Sequence, residues 1–559
     1  MTGAVEPRAR SRPIGLLIVL ALAVLAPLLL GKGGLLLSAI LVTALLGAPL
    51  FVLLGVVTVT CFLLWTDAML LAPGPEQAGA VVGNRLVERI RGLADSPQLL
   101  AVPFFITSGA IMARGQISVR LVEFARALVG WFPGGMACAA VIACMLFAAI
   151  SGSSPATVVA IGSMMGPTLI ASRYGERFTH GLLTAAGSLG ILIPPSIPMV
   201  IYPLVMTSAV IEVKELFNAG FGPGFVIGGL LAVYCVLRGL RDRTPREPFR
   251  LGRLRDAVRD GLWSLGFPVL VLGGINSGLF NVVGASAVSV VYAVAVEVLV
   301  HRALSLRDLP RILQETGVFL GSLLVIMVAA LAFTEFLEGE QIPRTVVDWI
   351  TGMQLEPWQF LLVVNLVLLV VGMFMDILSA MFVFVPLLGP IAVAMGIDPV
   401  HFGIIFIVNL EIGYLTPPVG LNLFVASTLF GRPLGHIVRS VLPFIGILAV
   451  GLGLVTWLPA LSVGFGRWIT GEERRAPATA PLAPAPGAGT GQSGAPATGG
   501  GVQTLEEMMR EAEGAGVQTL EEMMREAEAA AAEEAPAAAD AGIASPDAAG
   551  QGAAGGDSR

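Results

Sequence analysis

Gly190-Ile-Leu-Ile-Pro-Pro-Ser-Ile-Pro198 sets three prolines into an apolar run, and Gly413-Tyr-Leu-Thr-Pro-Pro-Val-Gly-Leu-Asn422 repeats the pattern later in the chain. Each proline removes a backbone donor and clashes with the preceding turn. A continuous helix is therefore expected to break at Pro194-Pro195 and again at Pro417-Pro418, with a simple proline kink as the alternative. Gly166-Pro167 lies 28 residues before the first Pro-Pro, and Gly389-Pro390 lies 28 residues before the second. Both pairs share an offset of 223 residues, at which Ala171/Ala394, Gly190/Gly413 and Leu192/Leu415 also coincide. Two helix-breaking dipeptides at one spacing, in two places, indicate an internal repeat.

The repeats are embedded in a strongly apolar chain. Hydrophobic residues make up 55% and charged residues 13%, against about 25% charged in a soluble domain. Apolar runs such as Ile14 to Leu30, Leu35 to Trp65 and Phe360 to Met375 occupy most of the first 465 residues. At roughly 20 residues per spanning helix, they predict an all-α polytopic membrane protein in a lipid bilayer, with on the order of a dozen passes. The net charge of −6 splits unevenly, because the 15 acidic and 5 basic residues from Glu472 onward leave the body at +4. No dense basic patch with interleaved aromatics points to nucleic acid.

Arg238 to Asp260 carries eight arginines against four acids and divides the body into similar halves. The positive-inside rule assigns this stretch to the cytoplasm. The resulting division is an N-terminal region 1–34 with an extra transmembrane helix, a first transport repeat 35–237, a basic cytoplasmic linker 238–260, a second repeat 261–465, and a tail 466–559. Charges flip sign between the halves. Arg173 and Arg177 follow the first Gly-Pro segment whereas Asp398 follows the second; Glu212 and Glu215 follow the first Pro-Pro segment whereas Arg432 and Arg439 follow the second. Such a flip is expected of inverted repeats. Arg8, Arg10 and Arg12 place the N-terminus in the cytoplasm on a retained first helix, a signal peptide being the alternative. The inverted path then puts the tail in the periplasm.

Ile150-Ser-Gly-Ser-Ser-Pro-Ala156 interrupts two apolar flanks of about 14 residues each, too short to span comfortably. Non-helical backbone at membrane depth must be buried in protein or line a polar cavity. A re-entrant hairpin with its tip at Ser151, Gly152, Ser153 and Ser154 would present hydroxyls and carbonyls suited to a dehydrated hard cation such as Na⁺; small-residue helix packing is the bland alternative. Broken helices add free carbonyls for cations and positive half-helix N-termini for an anion. The cation region is thus expected at Ser151, Gly152, Ser153, Ser154, Gly190, Pro194, Asp376, Gly413, Thr416, Pro417 and Gly420. The region for an organic anion is expected at Ser154, Pro195, Ser196, Pro418 and Asn422. Asp376 is the position equivalent to Ser153 and is ionisable within an apolar stretch, a costly and usually functional placement, unless it sits at a helix end near water. Glu411 is a weaker case of the same kind.

Signatures of other classes are missing. The four histidines form no zinc motif, and no nucleophile elbow, P-loop or dinucleotide fingerprint occurs, which argues against an enzyme, an ATP-driven pump or a transition-metal site. An intramembrane enzyme remains the alternative of another class. Cys61, Cys138, Cys144 and Cys235 lie in apolar runs without ligand spacing, as small buried side chains do. Residues Ala476 to Gly500 read as a linker, followed by Gly501–Glu513 and its identical copy Gly516–Glu528. This acidic tail is expected to be disordered, and its duplicated 13-residue motif is either a docking peptide or a solvated, partly helical stretch.

Ser151-Gly-Ser-Ser-Pro-Ala156, Leu189-Gly-Ile-Leu-Ile-Pro-Pro-Ser-Ile-Pro198 and Thr416-Pro-Pro-Val-Gly-Leu-Asn422 resemble the large, DctM-like membrane subunit of TRAP (tripartite ATP-independent periplasmic) transporters. Ala101-Val-Pro-Phe-Phe105, Trp131-Phe-Pro-Gly-Gly135 and Gly222-Pro-Gly224 add to the likeness, which covers roughly Leu35 to Leu461. The resemblance implies an elevator-type ion transporter with two hairpins and two broken helices in a bacterial inner membrane. It also implies a Na⁺ gradient as energy source, no further cofactor, a small membrane subunit, and a periplasmic binding protein that delivers a small organic carboxylate. A carrier of related fold that needs no binding protein is the nearest alternative. One departure is the segment Ser277-Gly-Leu-Phe-Asn-Val-Val-Gly-Ala285, where the family often has an acidic residue that is absent here.

Overall fold

A computed structural model of the chain describes residues 34–43, 50–65, 97–339 and 355–470, with isolated positions 31, 32, 87, 91, 341, 345, 348 and 352. The chain divides into two units, Met1–Pro481 and Leu482–Arg559; all described residues belong to the first. The expected first helix before residue 31, the linker and the duplicated motif of the tail lie outside the described residues.

Among the described residues the chain is helical, without strands. The helices are α1 (Gly34–Thr43), α2 (Leu50–Trp65), α3 (Pro97–Arg114), α4 (Ile117–Val129), α5 (Gly135–Ser151), α6 (Ser154–Ala171), α7 (Glu176–Gly187), α8 (Ile197–Val205) and α9 (Val213–Asp242). The second half contributes α10 (Leu251–Asn276), α11 (Val282–Val294), α12 (Leu309–Gly339), α13 (Pro357–Phe374), α14 (Ile377–Ala394), α15 (Pro399–Gly413), α16 (Leu421–Phe430), α17 (Leu434–Trp457) and α18 (Val463–Thr470). Among the described residues eight helices are long and apolar enough to cross a membrane, or nine if α3 and α4, bent by 70°, count as one span. All four cysteines are free and buried.

The two repeats are wound through each other. Hairpin α5–α6 corresponds to α13–α14, the broken helix α7–α8 to α15–α16, and α9 to α17. Limb α6 packs on α16 of the other repeat, and its counterpart α14 packs on α8. Likewise α7 packs on α17 while α15 packs on α9. Contacts exchanged in pairs are what a two-fold relation between inverted repeats produces.

Two findings go beyond the sequence reading. The arginine-rich stretch 238–260 is mostly the ends of α9 and α10, with only residues 243–250 between them. Glu247 of that link accepts from Arg126 of α4 at 2.8 Å and pairs with Arg253, which reaches Glu123 at 3.2 Å. The second is the bend between α3 and α4. Glu297, fully buried in a π-helical turn after α11, accepts from the backbone N–H groups of Gln116 at 3.0 Å and Ile117 at 3.2 Å. Its carboxylate fills the otherwise unpaired N-terminal turn of α4. A Cβ at Gly115 would lie 1.9 Å from that carboxyl carbon, so a larger residue there would displace the carboxylate from its two N–H partners.

Candidate functional site

Helix α5 ends where Gly152 turns left-handed at φ 57° and returns its N–H to Ala148 O, the usual glycine stop. Ser153 is extended and Pro155 occupies the first turn of α6, where its missing N–H costs nothing. Two residues thus reverse the chain, and the tip is held by Thr157 Oγ1 donating to Ser153 O at 2.9 Å with Ser151 Oγ 3.1 Å from Thr157 Oγ1. The first helix break lies against this tip. Its α-helix stops at Gly187, passes through a 3-10 turn at Ser188–Ile191 and resumes at Ile197. A Cβ on Gly190 would stand 2.6 Å from both Ser153 O and Thr157 Oγ1, and one on Gly152 would stand 3.0 Å from Pro195 O. Ser151 to Ser154, Gly190, Pro195 and Ser196 therefore form one cluster, buried except for the half-buried Ser153, with Pro194 beside it.

The second repeat repeats the contact with different residues. A Cβ on Gly413 would lie 2.5 Å from Gly372 Cα, and Gly420 N donates to Met373 O at 3.2 Å. Gly190 and Gly413, equivalent under the 223-residue offset, admit the hairpin of their own repeat. Tyr414 Oη accepts from Ile377 N at 2.7 Å and ties the start of α14 to the end of α15. Thr416 Oγ1 donates to Ile412 O at 2.8 Å. Pro194 to Ser196 are buried, whereas Pro418 and Val419 are exposed. The two breaks are thus in different states of access.

Asp376 has a local task. It is the N-cap of α14, accepting from Ser379 N at 3.0 Å and pairing with Ser379 Oγ, and it is only half-buried. Asp376→Ala should lower thermal stability by about 1 kcal/mol, the usual worth of a cap, while Asp376→Asn retains most of it. Melting curves of the detergent-purified variants check this, and equal losses for both would show that the charge rather than the cap matters.

Of these two acids the buried one is Glu411. Ser154 Oγ donates to Glu411 Oε1 at 2.8 Å, and Asn422 Nδ2 lies 2.6 Å from Ser154 Oγ and 3.4 Å from Glu411 Oε1. Ser154 and Asn422 are inaccessible and Glu411 is 5% exposed. This cluster joins the first hairpin tip to the second broken helix, a link that the sequence reading did not foresee. Asn422 belongs to it, as does Ser154, which serves both clusters.

Paired hairpins and broken helices meeting at buried polar points define a membrane transport protein. Residues 37–461 match the family model described as "Tripartite ATP-independent periplasmic transporter, DctM component", and the chain belongs to that family. It is 45% identical over 372 residues to the C4-dicarboxylate TRAP transporter large permease protein DctM of Pseudomonas aeruginosa, covering 66% of this chain and 86% of the relative. It is 34% identical over 379 residues to the ectoine TRAP transporter large permease protein TeaC of Halomonas elongata, covering 68% and 88%. The YdaH transporter of Alcanivorax borkumensis, solved as a crystal structure, shares the fold with a TM-score of 0.54 at 15% identity, over 75% of this chain and 97% of that one.

Proposed function

We propose that this chain is the translocating subunit of a Na⁺-coupled importer in a bacterial inner membrane, and that its cargo is a small organic carboxylate, a C4-dicarboxylate first among them. The observation that carries the reading is the pair of hairpin-to-break contacts. At Gly190 the carbonyl oxygen of Ser153 and the hydroxyl of Thr157 face the break. At Gly413 the end of α13 packs on the break through Gly372, while Gly420 N donates to Met373 O. Oxygen-only surroundings of this kind suit a dehydrated Na⁺. No arginine or lysine lies among these residues, so the cargo's charge would be met by the N-terminal turns of α8 and α16, which begin at Ile197 and Leu421, and by bound Na⁺. The dicarboxylate assignment leans on the relatives described as C4-dicarboxylate transporters.

In this reading the two hairpins and two broken helices move as one block, an elevator, while the remaining helices stay in place. A small membrane subunit and a periplasmic binding protein complete the system. Proteoliposomes holding this chain with the small subunit should take up labelled succinate only when the binding protein and an inward Na⁺ gradient are both supplied. Robust uptake by this chain alone would overturn the tripartite reading. A thermal-shift screen of the binding protein against carboxylates would then fix the cargo.

A further inference from the structure

We infer that the link 243–250 between α9 and α10 and the turn 130–134 between α4 and α5 form a binding surface for an anionic phospholipid. Trp131, Phe132 and Phe249 meet its glycerol and ester region, and Arg246 and Arg250 meet its phosphate. The inference needs only a chain that spans a membrane and is independent of cargo and coupling ion.

Two glycines set the depth of this surface in the bilayer. A Cβ on Gly134 would lie 2.2 Å from Cys235 O, and one on Gly239 would lie 2.2 Å from Gly134 N. The turn therefore packs on α9 between Cys235 and Gly239. That is where the apolar run of α9 ends, at Leu237, and Arg238 and Arg241 begin. Val233, Leu237 and Leu240 are exposed at spacings of four and three, an apolar stripe along one helix face. Trp131 and Phe132 are exposed at the level where this stripe gives way to charge. Aromatic side chains so placed sit among lipid headgroups. Phe249, also exposed, joins them from the link, its ring 5.9 Å from that of Trp131, which lies 4.0 Å from that of Phe132.

The link itself is pinned. Glu247 N donates to Gly130 O at 3.1 Å, Thr244 Oγ1 lies 3.2 Å from Tyr174 Oη, and the Glu247 carboxylate pairs with Arg126 and Arg253. Asp242 pairs with Arg238 at 2.7 Å. Both nearby acids are thereby taken. Arg241, Arg243, Arg246 and Arg250 are left exposed, with no ion pair among the described residues. Four guanidinium groups on a fixed backbone want an anion, and the three rings beside them want an apolar body. A phospholipid supplies both, because its phosphodiester accepts the forked donors of arginine and its acyl chains can follow the stripe of α9. At the offset of 223 residues Arg241, Arg246 and Arg250 correspond to Gly464, Ile469 and Glu473. The second repeat therefore offers no copy of this surface.

Trp131 can report on its own lipid. The full-length chain is reconstituted in phosphatidylcholine with a rising fraction of dibrominated phosphatidylglycerol or dibrominated phosphatidylcholine. Subtracting the fluorescence of Trp131→Phe isolates the signal of Trp131. Half-quenching is expected at a phosphatidylglycerol fraction about fivefold or more below that of phosphatidylcholine, since one arginine beside an anionic headgroup is worth about fivefold. The double variant Arg246→Gln, Arg250→Gln should bring the two curves together, and so should about 1 M salt. Equal quenching by the two lipids in the unaltered chain, or a preference that survives in the double variant, would overturn the site. Quenching that disappears when the small membrane subunit is added would give the surface to that protein and overturn it as well. If Trp131→Phe does not insert, mass spectra of the chain released from mixed nanodiscs decide. Retention of phosphatidylglycerol over phosphatidylcholine that the double arginine variant loses supports the site, and equal retention of the two lipids overturns it.

Discussion

Gly190→Val is expected to abolish uptake while leaving an inserted, full-length protein. The new side chain would start 2.6 Å from Ser153 O and Thr157 Oγ1 and 2.9 Å from Ser154 Cα. Two of these three atoms are backbone and cannot rotate away, so the hairpin tip must retreat from the break. Overpacking of this kind costs typically about 1–3 kcal/mol, and each 1.4 kcal/mol lost where the tip must close is worth about tenfold in rate. Gly413→Val should do the same from the other repeat, since its Cβ meets the backbone of Gly372. Gly229→Ala and Gly273→Ala are the controls, with nothing within 4 Å of the added carbon. Uptake into proteoliposomes, normalised to reconstituted protein, measures all four. Wild-type rates for both valine variants would show that the tips need not touch the breaks.

The second large effect is expected where the repeats are tied together. Asn422→Leu takes donors from Ser154 and Glu411, and Ser154→Ala takes the shorter of the two donors from Glu411. Leaving a buried polar group short of a partner costs about 1–3 kcal/mol, more for a charged one. Each variant should therefore melt well below the unaltered protein, and the pair should fall short of the sum because one network is lost only once. A double-mutant cycle on melting free energies reads this directly. Simple additivity would mean that Ser154 and Asn422 act separately.

The repeat, the first hairpin tip and both breaks were legible because they depend on residues that act locally. The Pro-Pro pairs interrupt their helices in both repeats, whereas Pro167 and Pro390 of the Gly-Pro pairs sit inside α6 and α14 without ending them. Gly190 and Gly413, 223 residues apart, both admit a close neighbour. The helical nature of 238–260 was not read from its charges, although arginine is a good helix former. Loop-like composition described the polarity there but not the backbone. The sequence did not distinguish the burial of Asp376 from that of Glu411. Both are acids in apolar runs, and only tertiary packing makes one a half-exposed cap and the other a buried link. The offset held a clue, since Glu411 pairs with Ser188 in the first repeat, a position already beside Gly190. The bend at Gly115 had no local signal at all, because the residue that holds it, Glu297, is 182 positions away.

The interlocked packing of the two halves also governs how the protein is made. Ser154 leaves the ribosome 257 residues ahead of the carboxylate that accepts its proton, and α7 precedes its partner α17 by a similar length. At about 5–20 residues per second, the first half waits roughly ten to fifty seconds in the bilayer with a hydroxyl unanswered and two helix faces bare. Nascent chains stalled before Glu411 should therefore be the form that membrane proteases clear, and chains stalled beyond Trp457 the first that survive.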